Sequence, residues 1–272
     1  GSVMFMFQPG EEGYHGARFM LEDGTIDPLP NAAFALHVSP NIPSGIIAGK
    51  PGALLAAAAR FVITVKGKGG HASQPHNAVD PIPVACEIVM ALQAMVTRRI
   101  EAFDPVVLTV GRITSGTTNN IIPEIAEIEG TIRSFSESSR AMAHEGVHRV
   151  APNIAAAHKA QAIVEIIPGF PVTICSNDAV ALAKATAQNL FGEHGWLSMP
   201  SPVMGAEDFA YVLQKVPGAM VFLGATPEGG DFRSCCALHS NRMVIDESVM
   251  ARGAAMHAAY AEAYLNAGFE RL

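Results

Sequence analysis

The chain has 272 residues, of which 49% are hydrophobic and 16% are charged, and its formal net charge at pH 7 is -7. This length suits one or two domains with a sizeable core, and the negative charge, without a basic cluster, argues against nucleic acid or an anionic membrane as a partner. We therefore expect a protein that binds small molecules. Four cysteines in so long a chain form neither a disulfide framework nor a zinc-knuckle spacing, so we expect it to be cytoplasmic.

An apolar run at residues 3–7 stops at Pro9 and Gly10 and is followed by two adjacent carboxylates, Glu11 and Glu12. The run is too short for a membrane span or a signal sequence, and the Pro-Gly pair turns the chain out of a sheet. The pattern therefore predicts a buried strand whose carboxyl end carries the two acids.

A helix and a second strand are predicted after the acids. Apolar residues at helical spacing predict a helix over 13–23 that stops at Gly24. An apolar run predicts a strand over 32–38, with His37 at its carboxyl end. Because open α/β sheets gather ligands at the carboxyl ends of their strands, we expect His37 to lie near the acids.

Two acids and an imidazole at neighbouring strand ends have two interpretations. In a metal site, one carboxylate and the imidazole bind zinc, manganese or cobalt, and the other carboxylate serves as a general base. In a purely structural reading, Glu11 and Glu12 begin a helix, whose dipole favours negative charge, and His37 is an ordinary strand-end residue. Spacing alone favours the structural reading.

The middle of the chain predicts a separate domain. Residues 39–52 are rich in proline and glycine and predict an irregular crossing, followed by a small-residue hinge at 53–59. Alternation and helical spacing then predict the order βαββαβ, which is that of a ferredoxin-like domain inserted at roughly 57–170. The predicted elements are strands at 60–66, 106–113, 124–135 and 162–167 and helices at 81–98 and 138–157.

The remaining residues return to the first domain, so the predicted fold class is α/β with two domains. The helix at 81–98 is expected to direct five apolar residues inward: Ile82, Ala85, Val89, Leu92 and Val96. In the last part of the chain we predict helices at 178–191, 205–213 and 247–266, a buried strand at 219–224, and a long loop at 228–241 that carries His239.

A series of motifs runs through the whole chain: FQPGEEG at 7–13, EDG at 22–24, LHV at 36–38, GKGGHAS at 67–73, NIIP at 120–123, GTIR at 130–133, GAEDF at 205–209 and LH at 238–239. In this order the motifs resemble the amidohydrolase branch of the dinuclear aminoacylase and carboxypeptidase metallohydrolases. That branch includes hippurate hydrolases, N-acyl amino acid deacylases and auxin-conjugate hydrolases.

The resemblance implies roles for the residues near the acids. It implies Glu11 as the general base and Glu12, His37 and His239 as ligands of a divalent metal, zinc first, with manganese, cobalt or nickel as alternatives. Without the resemblance, His239 would be an ordinary surface histidine in a loop. The acids of the GAEDF motif are left out of the predicted site, because two acids that open a helix usually serve as caps.

The resemblance also implies roles within the inserted domain. His71 is expected to donate a hydrogen bond to the scissile carbonyl oxygen across a homodimer, which stabilises the charge that develops there. Asn120 and Arg133 are expected to contact substrate, and a guanidinium suits a bidentate grip on a carboxylate. The plainer alternatives are a turn histidine for His71 and, for Arg133, a solvated cation opposite Glu127 or Glu129.

At the domain level, the resemblance implies a zinc-peptidase-like catalytic α/β domain at 1–56 and 171–272 and a lid and dimerisation domain at 57–170. The family pattern begins with a further segment, whose Cys-Gly-His-Asp type motif supplies more metal ligands, and this sequence has no such motif. We therefore expect a C-terminal portion of the family pattern, with one metal ion or none where the family holds two.

The implied function is hydrolysis of the amide bond of N-acyl amino acids or similar conjugates, with this shortened chain expected to be inactive. The alternative is a non-catalytic, dimeric protein derived from the same family, in which the inserted domain binds a ligand or a partner. Metal content and activity towards N-acyl amino acids would discriminate between the two.

Overall fold

The computed structural model describes residues 1–227, 229–230 and 238–269 of the chain. Part of the loop predicted at 228–241 therefore lies outside the described residues, and so do Cys235 and Cys236. The statements that follow concern the described part.

The chain divides into two compact units, and the second unit is inserted into the first. The first unit comprises residues 1–55 and 173–272, and the second comprises residues 56–172. The second unit has nearly the bounds of the insert predicted at 57–170. The catalytic role of the first unit and the lid and dimerisation role of the second stay predictions.

The long helices begin at polar side chains that cap their first turn. Asp80 accepts a hydrogen bond from the backbone N–H of Ile82, and Ser136 and Ser176 cap two further helices in the same way. The helices are α1 Gly16–Glu22, α2 Pro81–Arg99, α3 Glu137–Ala157, α4 Asn177–Phe191, α5 Ala210–Leu213 and α6 Met250–Ala267.

The strands are β1 Ala33–Ser39, β2 Ile47–Gly49, β3 Gly52–Leu55, β4 Ala57–Lys66, β5 Gly70–His71, β6 Val106–Ser115, β7 Ile121–Ile122, β8 Ile125–Ser134, β9 Gln161–Pro168, β10 Thr173–Cys175, β11 Trp196–Ser198 and β12 Gly218–Gly224. Two segments predicted to be irregular contain strands: β2 lies in the crossing at 39–52, and β3 and the start of β4 occupy the hinge at 53–59. Alanine and glycine have low β-propensity, so the sequence of these strands does not resemble a strand.

The second unit has the predicted βαββαβ order. Its four long strands pair antiparallel in the order β6-β8-β4-β9, and α2 and α3 pack against the sheet. The alternation that predicted β4 also gives its buried face, because Phe61, Ile63 and Val65 have no exposed surface. The ferredoxin-like prediction is therefore confirmed.

The inward face of α2 differs from the prediction. Ala85 and Leu92 are buried as expected, whereas Ile82 is 41% exposed and Val84 and Ile88 are buried instead. The helix is apolar on several sides, so helical spacing alone allows more than one inward face, and packing against α3 and the sheet selects among them. By length and hydropathy α2 could span a membrane, but here it contributes to the core of its unit.

Gly130 on β8 lies where the second unit has no room for a side chain. A Cβ at this position would lie 2.2 Å from the carbonyl oxygen of Thr109 and 2.4 Å from the ring of Phe61. We expect Gly130→Ala to lower the free energy of unfolding by about 3 kcal/mol, because a backbone oxygen cannot rotate away from the added methyl group. Urea unfolding measures the loss. Gly111→Ala on β6 is the matched control, since its Cβ would meet no heavy atom within 4 Å, and equal losses would contradict the argument.

The first unit is built around a mixed sheet with the order β1-β12-β2-β11. The strand β12 is buried along its whole length and pairs parallel with β1, so that His37 lies opposite Phe222. The helices α4 and α6 contribute Leu182, Ala183 and Met256 to the core beside this sheet. This packing holds the carboxyl end of β1, where His37 lies, in a defined position.

The buried strand predicted at residues 3–7 is wrong. These residues form no strand, and Val3, Met4, Phe5 and Phe7 are between 49% and 85% exposed. Apolar composition does not make a strand unless a neighbour pairs with its backbone N–H and C=O groups, and no described strand pairs with residues 3–7. In the described part of the sheet, β1 pairs with β12 only and forms an edge.

Candidate metal and catalytic site

Glu11 and Glu12 lie on a tight loop rather than at a strand end. The backbone N–H of Gly13 donates to the carbonyl of Glu11 at 2.6 Å, and that of Tyr14 donates to Gly10 at 3.0 Å. Gly10 and Gly13 have φ values of 59° and 93°, in the left-handed region that glycine adopts without strain. The loop therefore holds the two acids at its tip.

His37 lies two residues before the last residue of β1, and a hydrogen bond fixes the state of its ring. Its Nδ1 is 2.6 Å from the carbonyl oxygen of Val38. Because a carbonyl can only accept, Nδ1 carries the proton, and in the neutral ring Nε2 keeps its lone pair. This orientation of a histidine by a backbone carbonyl is typical of metal-binding histidines.

Glu12, His37 and His239 line one cavity of about 370 Å³. The carboxylate of Glu12 lies 3.6 Å from the Nδ1 atom of His239, and both side chains are 72% exposed. His239 has a φ of 67°, which is uncommon for a residue other than glycine. The structure thus places the three predicted ligands around one solvent-accessible space.

A neighbouring cavity of about 290 Å³ is lined by Glu11, His37 and Glu207, among other residues. Burial raises the pKa of Glu11 to about 7, with further contributions from the negative charges of Glu207, Glu12 and Asp208. A carboxylate with a pKa close to neutrality can both accept and release a proton. Because His37 lines both cavities, the predicted base and the predicted ligands lie in one region.

The sequence predicts Glu207 and Asp208 as caps outside the site, and Glu207 does accept a hydrogen bond from the backbone N–H of Phe209 at 3.1 Å, but both acids are also buried. They are 6% and 0% exposed, and the helix predicted at 205–213 is reduced to α5, which begins at Ala210. Gln8 donates from Nε2 to Glu207 at 3.2 Å and also to Asp208. The sequence signal that was available is the GAEDF motif, whose adjacent acids parallel Glu11 and Glu12.

The side chains that meet here fit a divalent cation by their chemistry. One carboxylate and two imidazoles make a usual set of protein ligands for catalytic zinc, and Nε2 of His37 has its lone pair available. Within the residues that the structure describes, no three His, Cys, Asp or Glu side chains form a closed cluster. Closing the set of Glu12, His37 and His239 around one ion therefore requires side-chain rearrangement.

His71 and Asn120 lie side by side within the second unit. The strand β5 pairs His71 with Ile121, and the backbone N–H of Ala72 donates to the carbonyl of Asn120 at 3.1 Å. The backbone N–H of Ser73 donates to Nδ1 of His71 at 3.1 Å. Nδ1 is therefore an acceptor, so the neutral ring carries its proton on the exposed Nε2 and can donate from there.

Arg133 lies at the other end of the second unit's sheet from His71. It pairs with Ala58 and Val107 near the end of β8, whereas His71 and Asn120 adjoin the start of that strand. At about 3.3 Å per residue, the length of β8 separates them by roughly 25 Å. Within one second unit, the structure therefore brings His71 and Asn120 together and leaves Arg133 apart.

Glu127 and Glu129, the two acids of the alternative reading of Arg133, both contact other arginines. Glu129 pairs with Arg60 at 2.7 Å and also with Arg112, and Glu127 pairs with Arg112 at 2.7 Å. Other arginines thus neutralise both acids.

The sequence profile described as peptidase family M20/M25/M40 matches residues 1–263 of this chain. The chain belongs to this family. An M20-family protein of Bacillus subtilis, described as a dinuclear metal-binding peptidase, has a similar solved structure, with a TM-score of 0.76 and 31% identity. That match covers 94% of this chain and 63% of the other. Family membership and the α/β fold of this M20 chain are thereby confirmed.

Two curated relatives are enzymes that act on amides, by their names. The chain is 36% identical over 269 residues to an IAA-amino acid hydrolase of Arabidopsis thaliana, which covers 97% of the chain and 60% of the relative. It is 41% identical over 225 residues to an N-acetylcysteine deacetylase of Bacillus subtilis, which covers 82% of the chain and 58% of the relative. The M20 chain thus spans about 60% of these relatives, and the expected loss of a family segment stays a prediction.

Proposed function

We propose that the chain carries catalytic residues of a metal-dependent amidohydrolase that hydrolyses N-acyl amino acids or similar conjugates. The observation that carries this proposal is the position of Glu11, Glu12, His37 and His239 around two cavities that share His37. The names of the two curated relatives support the substrate class, because each describes cleavage of an amide between an acyl group and an amino acid.

Glu12, His37 and His239 are the proposed ligands of a divalent cation, zinc first, with manganese, cobalt or nickel as alternatives. When bound, the cation supplies Lewis-acid chemistry, which polarises an amide carbonyl and makes water more acidic. The hydrogen bond from Nδ1 of His37 to Val38 keeps Nε2 directed to that task. The carboxyl groups of Glu11 and Glu207 adjoin this space, and a bound cation would favour their ionised form.

Glu11 is the proposed general base. It lines the cavity beside His37 without sharing the contact that Glu12 makes with His239. Its carboxylate accepts a proton from the attacking water and can return it to the leaving amine. Of the two adjacent carboxylates, Glu11 would thus act as the base and Glu12 as a metal ligand.

His71, Asn120 and Arg133 are the proposed contacts of the second unit with substrate. His71 offers Nε2–H as a donor to the carbonyl oxygen, since Ser73 occupies its Nδ1. The guanidinium of Arg133 suits the carboxylate of an N-acyl amino acid. Because Arg133 is far from His71 within one second unit, the two would act on substrates bound to different subunits of a homodimer.

The function is tested by loading the protein with zinc or manganese and assaying a panel of N-acetyl and N-benzoyl amino acids against the corresponding esters and dipeptides. Release of the free amino acid supports the amidohydrolase proposal. Because the 272-residue chain on its own is expected to show no turnover, cation binding decides for that chain: if it binds neither zinc nor manganese, the alternative of a non-catalytic binding protein is favoured.

We also propose that the second unit forms the homodimer, through the edge strand β6 and the adjoining helix α2. The strand β6 is at one edge of the sheet, and Ile113 on it is 49% exposed. On α2, Met90 is 71% exposed, and Gln93 ties the helix to the carbonyl of Leu108 at 3.2 Å. An open edge next to exposed apolar side chains favours pairing with a second copy.

We expect the chain to sediment as a dimer at micromolar concentration and Ile113→Lys to shift it to monomer, because a charge at the centre of the interface would be desolvated. Analytical ultracentrifugation measures the shift. Ile163→Lys is the matched control, since Ile163 is 44% exposed on the opposite edge strand, β9. A monomeric parent protein, or dissociation by the control alone, would contradict this interface.

A further inference from the structure

Asp208 connects the two ends of the loop that carries Glu11 and Glu12. Its side chain is completely buried, and each of its oxygens has a partner from a different end of the loop. Oδ2 accepts a hydrogen bond from the backbone N–H of Ala17 at 2.8 Å. Oδ1 accepts from Nε2 of Gln8. One carboxylate thus fixes the residue that precedes the loop and the residue that follows it.

At the tip of the loop, residues 10–14, the described backbone hydrogen bonds are local, whereas His15 after the tip contacts α5 through its Nδ1 atom, 3.0 Å from the hydroxyl of Tyr211. Gly13 bonds back to Glu11 and Tyr14 bonds back to Gly10, so these bonds shape the tip but do not attach it to the rest of the unit. The base of the loop is closely packed, because a Cβ on Gly16 would lie 1.6 Å from the carbonyl oxygen of Pro9. The position of the tip and the persistence of its weak local bonds therefore depend on how the base is held.

We propose that Asp208 is a positioning residue, which sets the distance of Glu11 and Glu12 from His37 by holding both ends of their loop. Glu207 assists by accepting from the same Nε2 atom of Gln8 at 3.2 Å and from the backbone N–H of Phe209 at 3.1 Å. This inference rests on the proposed function only in the roles of base and ligand that it gives to Glu11 and Glu12.

A purely structural role as a helix cap explains less of the geometry. A buried carboxylate is costly unless its hydrogen bonds are satisfied, and a neutral Ser or Asn would cap the short helix α1 at lower cost. Capping α1 uses only the contact of Asp208 with Ala17. The second contact, to Gln8, reaches the opposite end of the loop, and only the positioning role requires it.

Two substitutions separate the contacts. Asp208→Asn keeps the size of the side chain, but its amide nitrogen cannot accept a hydrogen bond, so one end of the loop is released. Gln8→Met keeps the length of the Gln8 side chain and removes its donor. Both variants are made in the 272-residue chain, and neither is assayed for catalytic activity.

Two measurements read the position of the loop. Amide hydrogen exchange at Gly13, Tyr14 and Ala17 should become about tenfold faster or more in both variants, because these amides lose their protection when the loop opens. The affinity for Zn²⁺, measured by calorimetry, should fall by roughly 10-fold to 100-fold, the range typical for residues that orient metal ligands.

Ser176→Ala is the matched control for lost stability. It removes the side chain that caps α4 in the same unit, so it should lower the melting temperature and leave exchange in the loop and Zn²⁺ affinity unchanged. Unchanged exchange in Asp208→Asn, or a loss of affinity no larger than that of Ser176→Ala, would overturn the positioning role. If Asp208→Asn does not fold, Gln8→Met carries the same test.

The failure of the proposed function would be seen separately. If Glu12→Gln does not weaken Zn²⁺ binding, or the parent chain binds no Zn²⁺, the proposed cation site is wrong. The exchange rates at Gly13, Tyr14 and Ala17 then decide on their own whether Asp208 holds the loop.

Discussion

Glu11→Gln is expected to lower kcat by roughly 100-fold or more, in any form of this protein that hydrolyses an N-acyl amino acid, while leaving the cation content nearly unchanged. Glutamine has almost the same shape as glutamate and still lines the cavity beside His37, but it cannot accept a proton from water. The measurement pairs kcat at saturating substrate with elemental analysis of the same sample.

Glu12→Gln is the matched control for that experiment, because it removes the adjacent carboxylate. Glu12 faces His239 in the first cavity, so its loss should remove cation and activity together. If Glu11→Gln lost cation and activity in equal measure, Glu11 would be a ligand and the division of labour between the two acids would be wrong.

The second expected result is that the 272-residue chain on its own binds no more than one zinc or manganese ion, weakly, and does not detectably hydrolyse an N-acetyl or N-benzoyl amino acid. Three protein ligands suit one catalytic zinc ion, and Glu12, His37 and His239 are the three proposed here. A pair of ions that share a nucleophile a few ångströms apart needs more donors than this set contains.

Calorimetry with zinc and manganese, followed by an assay of the loaded chain, tests this result. The Glu12→Gln variant, treated in the same way, controls for adventitious metal. Two tightly bound ions per chain, or turnover that Glu11→Gln abolishes, would show that further residues complete the site and that the count of donors made here is too low.

Much of the second unit could be predicted from sequence because each of its strands has one apolar face. On β8, Ile128 lies between Glu127 and Glu129, and on β4 the residues Phe61, Ile63 and Val65 share one face, so the pattern predicts both strands and their buried sides. The central strands β8 and β4 each pair with two neighbours, and the usual rules of strand connection leave few other orders for the sheet. The rotation of α2 could not be predicted, since Ile82 and Ile88 are equally apolar and only packing distinguishes them.

The first unit was harder to predict, because its elements depend on partners that are distant in sequence. Residues 3–7 have the composition of a strand but no described strand beside them, whereas the small residues of β3 pair with β10. His37 could be placed correctly, since β12 pairs with its strand along the whole length of β1. The local sequence indicates only the propensity of a segment to form a strand, and pairing with a second strand decides whether the strand forms.

The sequence motifs predict three residues that line one cavity of the candidate site, but they do not predict the buried acids that contact Gln8. Glu12, His37 and His239 were named from motifs that resemble a family, and the structure places them around one cavity. The sequence predicts Glu207 and Asp208 as caps, because adjacent acids before a predicted helix usually have that role. Their burial became apparent only with the tertiary structure, in which Gln8 reaches both.

The second unit is tied closed where the chain enters and leaves it. Ala58 donates its backbone N–H to the carbonyl of Phe170 at 2.9 Å and accepts from Gly169 at 3.0 Å. Most of the chain between the paired strands β1 and β12 belongs to this insert. Once folded, the insert acts as a short link between its neighbours, which lowers the entropic cost of closing the loop from β1 to β12 by on the order of 1 kcal/mol. The parent sheet therefore tolerates a whole domain in one of its connections at little cost in chain entropy.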